Sequence, residues 1–198
     1  MPVIDPALKR PGQQNPDIPS SARDVHPRLY RLLPALTIAA VVCLLLYKLF
    51  LVQRLNINWD EFFYLSHVHS VSRGDGGPLL QRFQTHLFGW VTLLDGNEIA
   101  QIAVARYVMV GLLALTTFLV WRLGRIWLDP WSSSIPPFVY VASVPVMVHG
   151  GSFRADSLLA PIMTAALVLL FSPGATRIRD RAAGALLGLG FSITIKTV

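Results

Sequence analysis

Cysteine occurs once in the 198 residues, at Cys43. No disulfide can form within the chain, and no zinc site can be built on thiolates. Cys43 sits in an apolar run and reads as a small buried hydrophobe. Charge is scarce as well: 14% of residues are Asp, Glu, Lys or Arg, against about 25% in soluble domains. That deficit argues against an ordinary water-soluble domain. No phosphate-binding Gly-rich loop, no dinucleotide fingerprint and no Gly-x-Ser-x-Gly elbow is present, which excludes nucleotide-driven machines and hydrolases of those types.

Apolar residues are abundant. They make up 53% of the chain, and the mean hydropathy is +0.52. Residues 1–31 stand apart, because Pro2, Pro6, Pro11, Pro16, Pro19 and Pro27 interrupt them and no apolar period appears. This stretch reads as a disordered tail. It is not a secretory signal, since its polar lead is too long and no small-residue cleavage site follows the apolar segment. A spanning helix needs roughly 20 mostly apolar residues. The pattern predicts spans over Leu33–Val52, Ile102–Trp121, Ile135–Val148, Ser157–Phe171 and Ala182–Val198. Pro34 fits the first turn of a helix, and Lys48 near the far end of the first span can snorkel. The expected fold is therefore an all-α polytopic membrane protein with about five transmembrane helices, occupying residues 32–198.

Residues 53–101 are too polar to span but rich in aromatics. They predict two amphipathic juxtamembrane helices in the first external loop. In the first, Trp59–Val71, helical spacing puts Asp60, Tyr64 and His67 on one face and Trp59, Phe62 and Phe63 on the other. The turn at Gly74-Asp75-Gly76-Gly77-Pro78 breaks the chain. The second follows with Leu80, Phe83, Leu87, Trp90 and Leu94 on one stripe.

The net charge of +6 is explained by topology rather than by nucleic acid. Lys9, Arg10, Arg23, Arg28 and Arg31 precede the first span, Arg122 and Arg125 close the second, and Arg177, Arg179 and Arg181 separate the last two. With alternating spans all fall on one side, which the positive-inside rule makes cytoplasmic. The N-terminus is then cytoplasmic. The last apolar run continues to Val198, so we read the chain as the N-terminal portion of a longer protein.

Several polar features converge on the opposite, external side, where ionisable groups at membrane depth are costly and commonly functional. Asn58-Trp59-Asp60-Glu61 reads two ways. Adjacent carboxylates diverge on a helix, so one could take a proton from an acceptor hydroxyl while the other fixes a neighbour or a cation. Alternatively, the pair stabilises a helix N-terminus against its dipole. Arg154-Ala155-Asp156 is either a functional pair or a helix cap with a headgroup arginine. Arg73, Arg82 and Arg106 could grip phosphate in a bidentate way or bind lipid headgroups without specificity. His67 and His69 diverge on a helix and do not suggest a shared metal. His86 and His149 read as structural. Lys196 is a phosphate partner or a snorkelling lysine.

Taken in order, these features resemble the N-terminal part of GT-C glycosyltransferases. The likeness is to the protein O-mannosyltransferase and aminoarabinose-transferase (ArnT-like) group, including the RgtA/B/C/D-like domain. It is carried by Asp60-Glu61-Phe62-Phe63-Tyr64 after the first span, Pro78-Leu79-Leu80, and Ala105-Arg106-Tyr107 opening the next span. Leu123-Gly124-Arg125 closes that span, Arg154-Ala155-Asp156-Ser157-Leu158-Leu159 opens a later one, and a looser match runs from Gly188 to Lys196. Where the family often has His-Pro-Pro-Leu, this chain has Gly77-Pro78-Leu79. The resemblance implies transfer of a sugar from a polyprenyl-phosphate donor to a hydroxyl of a lipid, glycan or protein acceptor at the external face of a bacterial inner membrane. It implies Asp60 as general base, supported by Glu61. Arg106, Arg154, Asp156 and Lys196 would surround the donor phosphate, with Tyr64 and Arg82 beside the substrates. Some relatives use a divalent cation, but no ligand set for one is legible here. A non-catalytic membrane scaffold or a transporter fragment is the alternative reading. A transporter, however, would carry charges midway through its spans, and here they gather at span ends.

Overall fold

The computed structural model describes residues 27–75, 82–174 and 176–193. Most of the expected disordered tail, residues 1–26, and Lys196 lie outside the described residues. Among those described, all regular structure is helical: α1 Pro27–Leu51, α2 Trp59–Ser72, α3 Arg82–Leu87, α4 Glu98–Trp127, α5 Ile135–Ala142, α6 Val144–His149, α7 Ala155–Phe171 and α8 Arg177–Ile193. Two of these stretches are long and apolar enough to cross a membrane, Leu32–Leu51 and Glu98–Trp127.

Local chemistry explains the boundaries. Asn97 caps α4 by accepting the Ala100 N–H at 3.0 Å, so α4 begins four residues earlier than hydropathy alone predicts. The expected third span is two short helices. Pro145 cannot continue an α-helix from the preceding turn, so the chain extends at Ser143 (φ −64°, ψ 141°) and restarts as α6. The second juxtamembrane helix also differs from expectation. α3 stops at Leu87, and a 3-10 turn over Gly89–Leu93 follows. Phe88 and Val91 are buried here while Leu87 and Trp90 are exposed; of the expected stripe, Phe83 and Leu94 pack partly buried against the core, and Leu80 lies outside the described residues. Arg177, Arg179 and Arg181 lie inside the first turns of α8 instead of in a loop.

At one end of the molecule Phe153, just before α7, donates its N–H to Glu61 at 2.8 Å, and Glu61 is bound to Arg106 near the start of α4. At the other end Trp127 of α4 meets Phe171 of α7 edge-on, with ring centroids 5.0 Å apart. Thus α4 and α7 run side by side in the same sense. The core sits at the Glu61 end, where Leu65, Val68, Phe88, Ile102, Met109 and Phe153 pack together. A smaller cluster of Ala155, Leu158 and Ile193 joins α7 to α8.

α1 touches the rest along one edge. Leu36, Ile38, Val42, Leu46 and Phe50 are exposed, an apolar surface that water does not favour. Cys43 is exposed on this helix and not buried as its surroundings suggested. Lys48 departs from the snorkelling expectation: it is 2% exposed and turns inward to donate to the Met147 carbonyl in the last turn of α6. A cation is favoured there because the final carbonyls of a helix have no intrahelical partner.

Candidate functional site

α2 brings two neighbouring carboxylates to the Glu98 end of α4. Asn58 precedes the helix in extended conformation and donates its N–H to Glu61 Oε2 at 3.0 Å, the backward half of a capping box. A step of about 100° separates consecutive helical residues, so Asp60 and Glu61 face different partners.

Glu61 is fully buried. Its Oε1 accepts from Arg106 Nε at 2.8 Å and from the Phe153 N–H at 2.8 Å. Its Oε2 accepts from Arg106 Nη2 at 2.6 Å and from the Asn58 N–H at 3.0 Å. Burial pushes the Glu61 carboxyl upward, but the Arg106 hydrogen bond and charge and the two backbone N–H groups outweigh it. The carboxyl is held below the ordinary carboxylate range. Arg106 donates its remaining N–H groups to the carbonyls of Val52 at 2.9 Å, Leu55 at 2.9 Å and Asn56 at 3.0 Å. A guanidinium has five N–H donors, and all five are engaged inside the protein. The phosphate role expected of Arg106 therefore has no donor left to perform it. Likewise Glu61 has no free lone pair directed at a substrate. The pair ties α2, α4, the link after α1 and the turn before α7 into one junction.

Asp60 faces Arg154. The Asp60 Oδ2 to Arg154 Nη1 distance is 3.2 Å, and Arg154 Nη2 lies 3.5 Å from Asp156 Oδ2. The Asp60 and Asp156 side chains are 44% and 45% exposed, and that of Arg154 is 21% exposed. Arg154 Nε is buried with no hydrogen-bond partner. Unlike Arg106, then, Arg154 keeps donor capacity. It lines a cavity of about 300 Å³ between α4, α5, α6 and α7. Asp156, Ser157 and His149 line the cavity with it, as do the apolar Leu113, Val146 and Ala160. Thr116 and Tyr140 are further polar groups of the lining. Asp60 does not line this cavity itself and reaches it through Arg154.

The expected residues thus divide. Asp60, Arg154 and Asp156 come together, whereas Glu61 and Arg106 form the junction beside them. Tyr64 packs between the two apolar clusters. The side chain of Arg82 lies outside the described residues, as does Lys196. His149, Thr116, Tyr140 and Ser157 were not singled out as site residues by sequence reasoning. His149 could have been, because it opens the polar break that ends in Arg154 and Asp156. Among the described residues no three of His, Cys, Asp and Glu gather as a metal-ligand set. No known protein family, curated protein or solved structure matches the chain.

Proposed function

We propose that the chain is the membrane part of a GT-C-type glycosyltransferase that moves a sugar from a polyprenyl-phosphate donor to a hydroxyl acceptor. The observation that carries this reading is the meeting of Asp60 with Arg154, an arginine with an unpartnered donor that lines a largely apolar cavity. A lipid-linked sugar phosphate has the matching form: an anionic head for Arg154 and a greasy tail for the wall beneath it. The tail remains in lipid while the acceptor arrives from water.

In the reaction, Asp60 takes the proton of the acceptor hydroxyl as its oxygen attacks the anomeric carbon from the side opposite the phosphate. The carbon–oxygen bond to the phosphate breaks, and its electron pair leaves with the polyprenyl phosphate. Arg154 stabilises the charge developing on that phosphate, and Asp156 orients the guanidinium. Substrate phosphate would take over the Arg154 donors now shared with Asp60, freeing Asp60 to act as base.

The reading places the Asp60 end on the external face of a bacterial inner membrane, with five spans and a cytoplasmic N-terminus. Support comes from the arginines: Arg122 and Arg125 near the Trp127 end of α4, and Arg177, Arg179 and Arg181 just after α7, all lie away from Asp60, as the positive-inside rule requires. The test is transfer of a radiolabelled sugar from polyprenyl phosphate by the full-length protein in proteoliposomes. Asp60→Asn should lower turnover about 10²- to 10⁴-fold, the usual worth of a general base. Turnover equal to wild type would remove Asp60 from the mechanism.

A further inference from the structure

A second pocket lies on the side of α2 away from Asp60. It occupies about 610 Å³ between the C-terminal half of α2 and the start of α4, within the size range of ligand-binding clefts, about 300–1,000 Å³. Phe62 supplies an apolar ring, and Ser66, Ser70, His69 and Arg73 come from the same helix face. Gly96, Asn97, Glu98 and Gln101 supply the opposite wall. The edge of the pocket depends on Gly96, whose φ of +125° is a conformation that side chains rarely adopt.

The polar groups are held in fixed states. Gln101 is buried and donates its Nε2 to the Leu94 carbonyl at 3.2 Å. Its Oε1 must then accept, and it meets His69 Nε2 at 2.8 Å. This arrangement makes the His69 Nε2 a donor. Asn97 uses its Oδ1 to cap Ala100, leaving its amide N–H groups as donors. Arg73 adds a cationic donor and Glu98 an anionic acceptor at the rim. Donors and acceptors are therefore mixed around one ring face. A simple anion would be attracted by Arg73 but repelled by Glu98. A sugar ring offers hydroxyls that both donate and accept, and an apolar face for Phe62.

We infer that the pocket formed by Phe62, His69, Arg73, Asn97, Glu98 and Gln101 binds a neutral saccharide, holding the glycan portion of an acceptor apart from the reacting hydroxyl. The acceptor role rests on the glycosyl-transfer reading, whereas the binding does not.

The experiment is saturation-transfer NMR on the full chain in lipid nanodiscs, with the methyl glycosides of glucose, galactose and N-acetylglucosamine as probes and inorganic phosphate followed by phosphorus line width. At least one glycoside should receive saturation on its ring protons. Arg73→Ala should weaken its apparent affinity about tenfold, the loss of one charge-assisted hydrogen bond. Ser66→Trp, which fills the pocket from an exposed position, should abolish the transfer. Saturation transfer to none of the glycosides, or transfer undiminished in Ser66→Trp, would overturn the inference. So would phosphate broadening that Arg73→Ala removes while no glycoside binds, which would mark an anion seat. The two readings separate cleanly. If the wild-type protein transfers no sugar from polyprenyl phosphate while glycoside binding depends on Arg73, the transfer reading fails and the pocket stands. If Asp60→Asn stops turnover while Ser66→Trp still binds glycosides as wild type does, the pocket fails and the reaction stands.

Discussion

Asp60 and Glu61 are adjacent in sequence, yet each carboxylate faces a different arginine: Asp60 is 3.2 Å from Arg154, and Glu61 is 2.6 Å from Arg106. One pair is open to ligand and the other is closed within the protein. The difference follows from the helix step between neighbours and from what each arginine finds around it. Arg106 meets three backbone carbonyls as well as Glu61, whereas Arg154 meets carboxylates that water also reaches.

The closed pair should set the acid limit of the fold. The folded-state pKa of Glu61 lies below its ordinary value of 4.5, so its contribution to stability is complete above about that pH. The contribution is lost as pH falls through the lower folded value, because the unfolded chain then binds the proton first. Thermal unfolding in detergent should show a midpoint that is flat from neutral pH to about pH 5 and declines below that ordinary value. Glu61→Gln should lower the midpoint at neutral pH and flatten the acid decline. A decline as steep in Glu61→Gln as in wild type would show that another carboxylate controls it.

Lysine substitutions should separate the two arginines. Arg106→Lys keeps a charge but cannot fill five hydrogen-bond positions, and it leaves buried carbonyls unpartnered. It should destabilise by about 1–3 kcal/mol for each carbonyl left without a donor, with little change in turnover per folded molecule. Arg154→Lys should cost little stability, since its contacts are partly exposed, but should raise KM for the lipid donor and lower kcat. Unfolding midpoints and initial rates measured on the same preparations decide the matter. An Arg154→Lys protein that is unstable but kinetically normal would reverse the assignment.

The sequence made α1, α4 and α7 legible through hydropathy and α2 through its amphipathic, aromatic-rich spacing. It also made Asp60, Arg154 and Asp156 legible as a group, because all three stand at the ends of predicted apolar segments. It did not reveal that Arg106 is closed off, since the backbone carbonyls of Val52, Leu55 and Asn56 leave no trace in side-chain pattern. Nor did it show Lys48 turning inward, because its partner is a helix-terminal carbonyl brought close only by tertiary packing. The break at Ser143 was written in Pro145, but a hydropathy window averages over such a break. Thr116 and Tyr140 look like ordinary polar residues of apolar helices until the cavity between α4 and α5 places them on a shared wall.

The cavity should be sensitive at Gly150. A methyl group there would lie 2.6 Å from the Val146 carbonyl oxygen and 3.3 Å from Leu113 Cδ2. The first atom is backbone, so the turn between α6 and α7 must shift. Because the same turn leads to Arg154, Gly150→Ala should cost about 1–3 kcal/mol and also weaken donor binding. Titration with a short-chain polyprenyl phosphate, followed by the unfolding midpoint, reads both at once. An unchanged midpoint together with an unchanged ligand-induced rise would show that the turn is more pliable than its packing suggests.

Gln84 offers a test in the opposite direction. Its side chain is 1% exposed, and neither its Oε1 nor its Nε2 has a hydrogen-bond partner. A buried polar group without a partner costs about 1–3 kcal/mol, and methionine has nearly the same length with no polar amide. Gln84→Met should therefore raise stability by about 1 kcal/mol or more, seen as a higher unfolding midpoint in detergent. The effect should be confined to stability, because α3 packs on α2 and α8 and Gln84 is not among the residues lining the Arg154 cavity. If the substitution instead lowers the midpoint, the amide is bonded in the working protein, and the region around α3 must supply that partner.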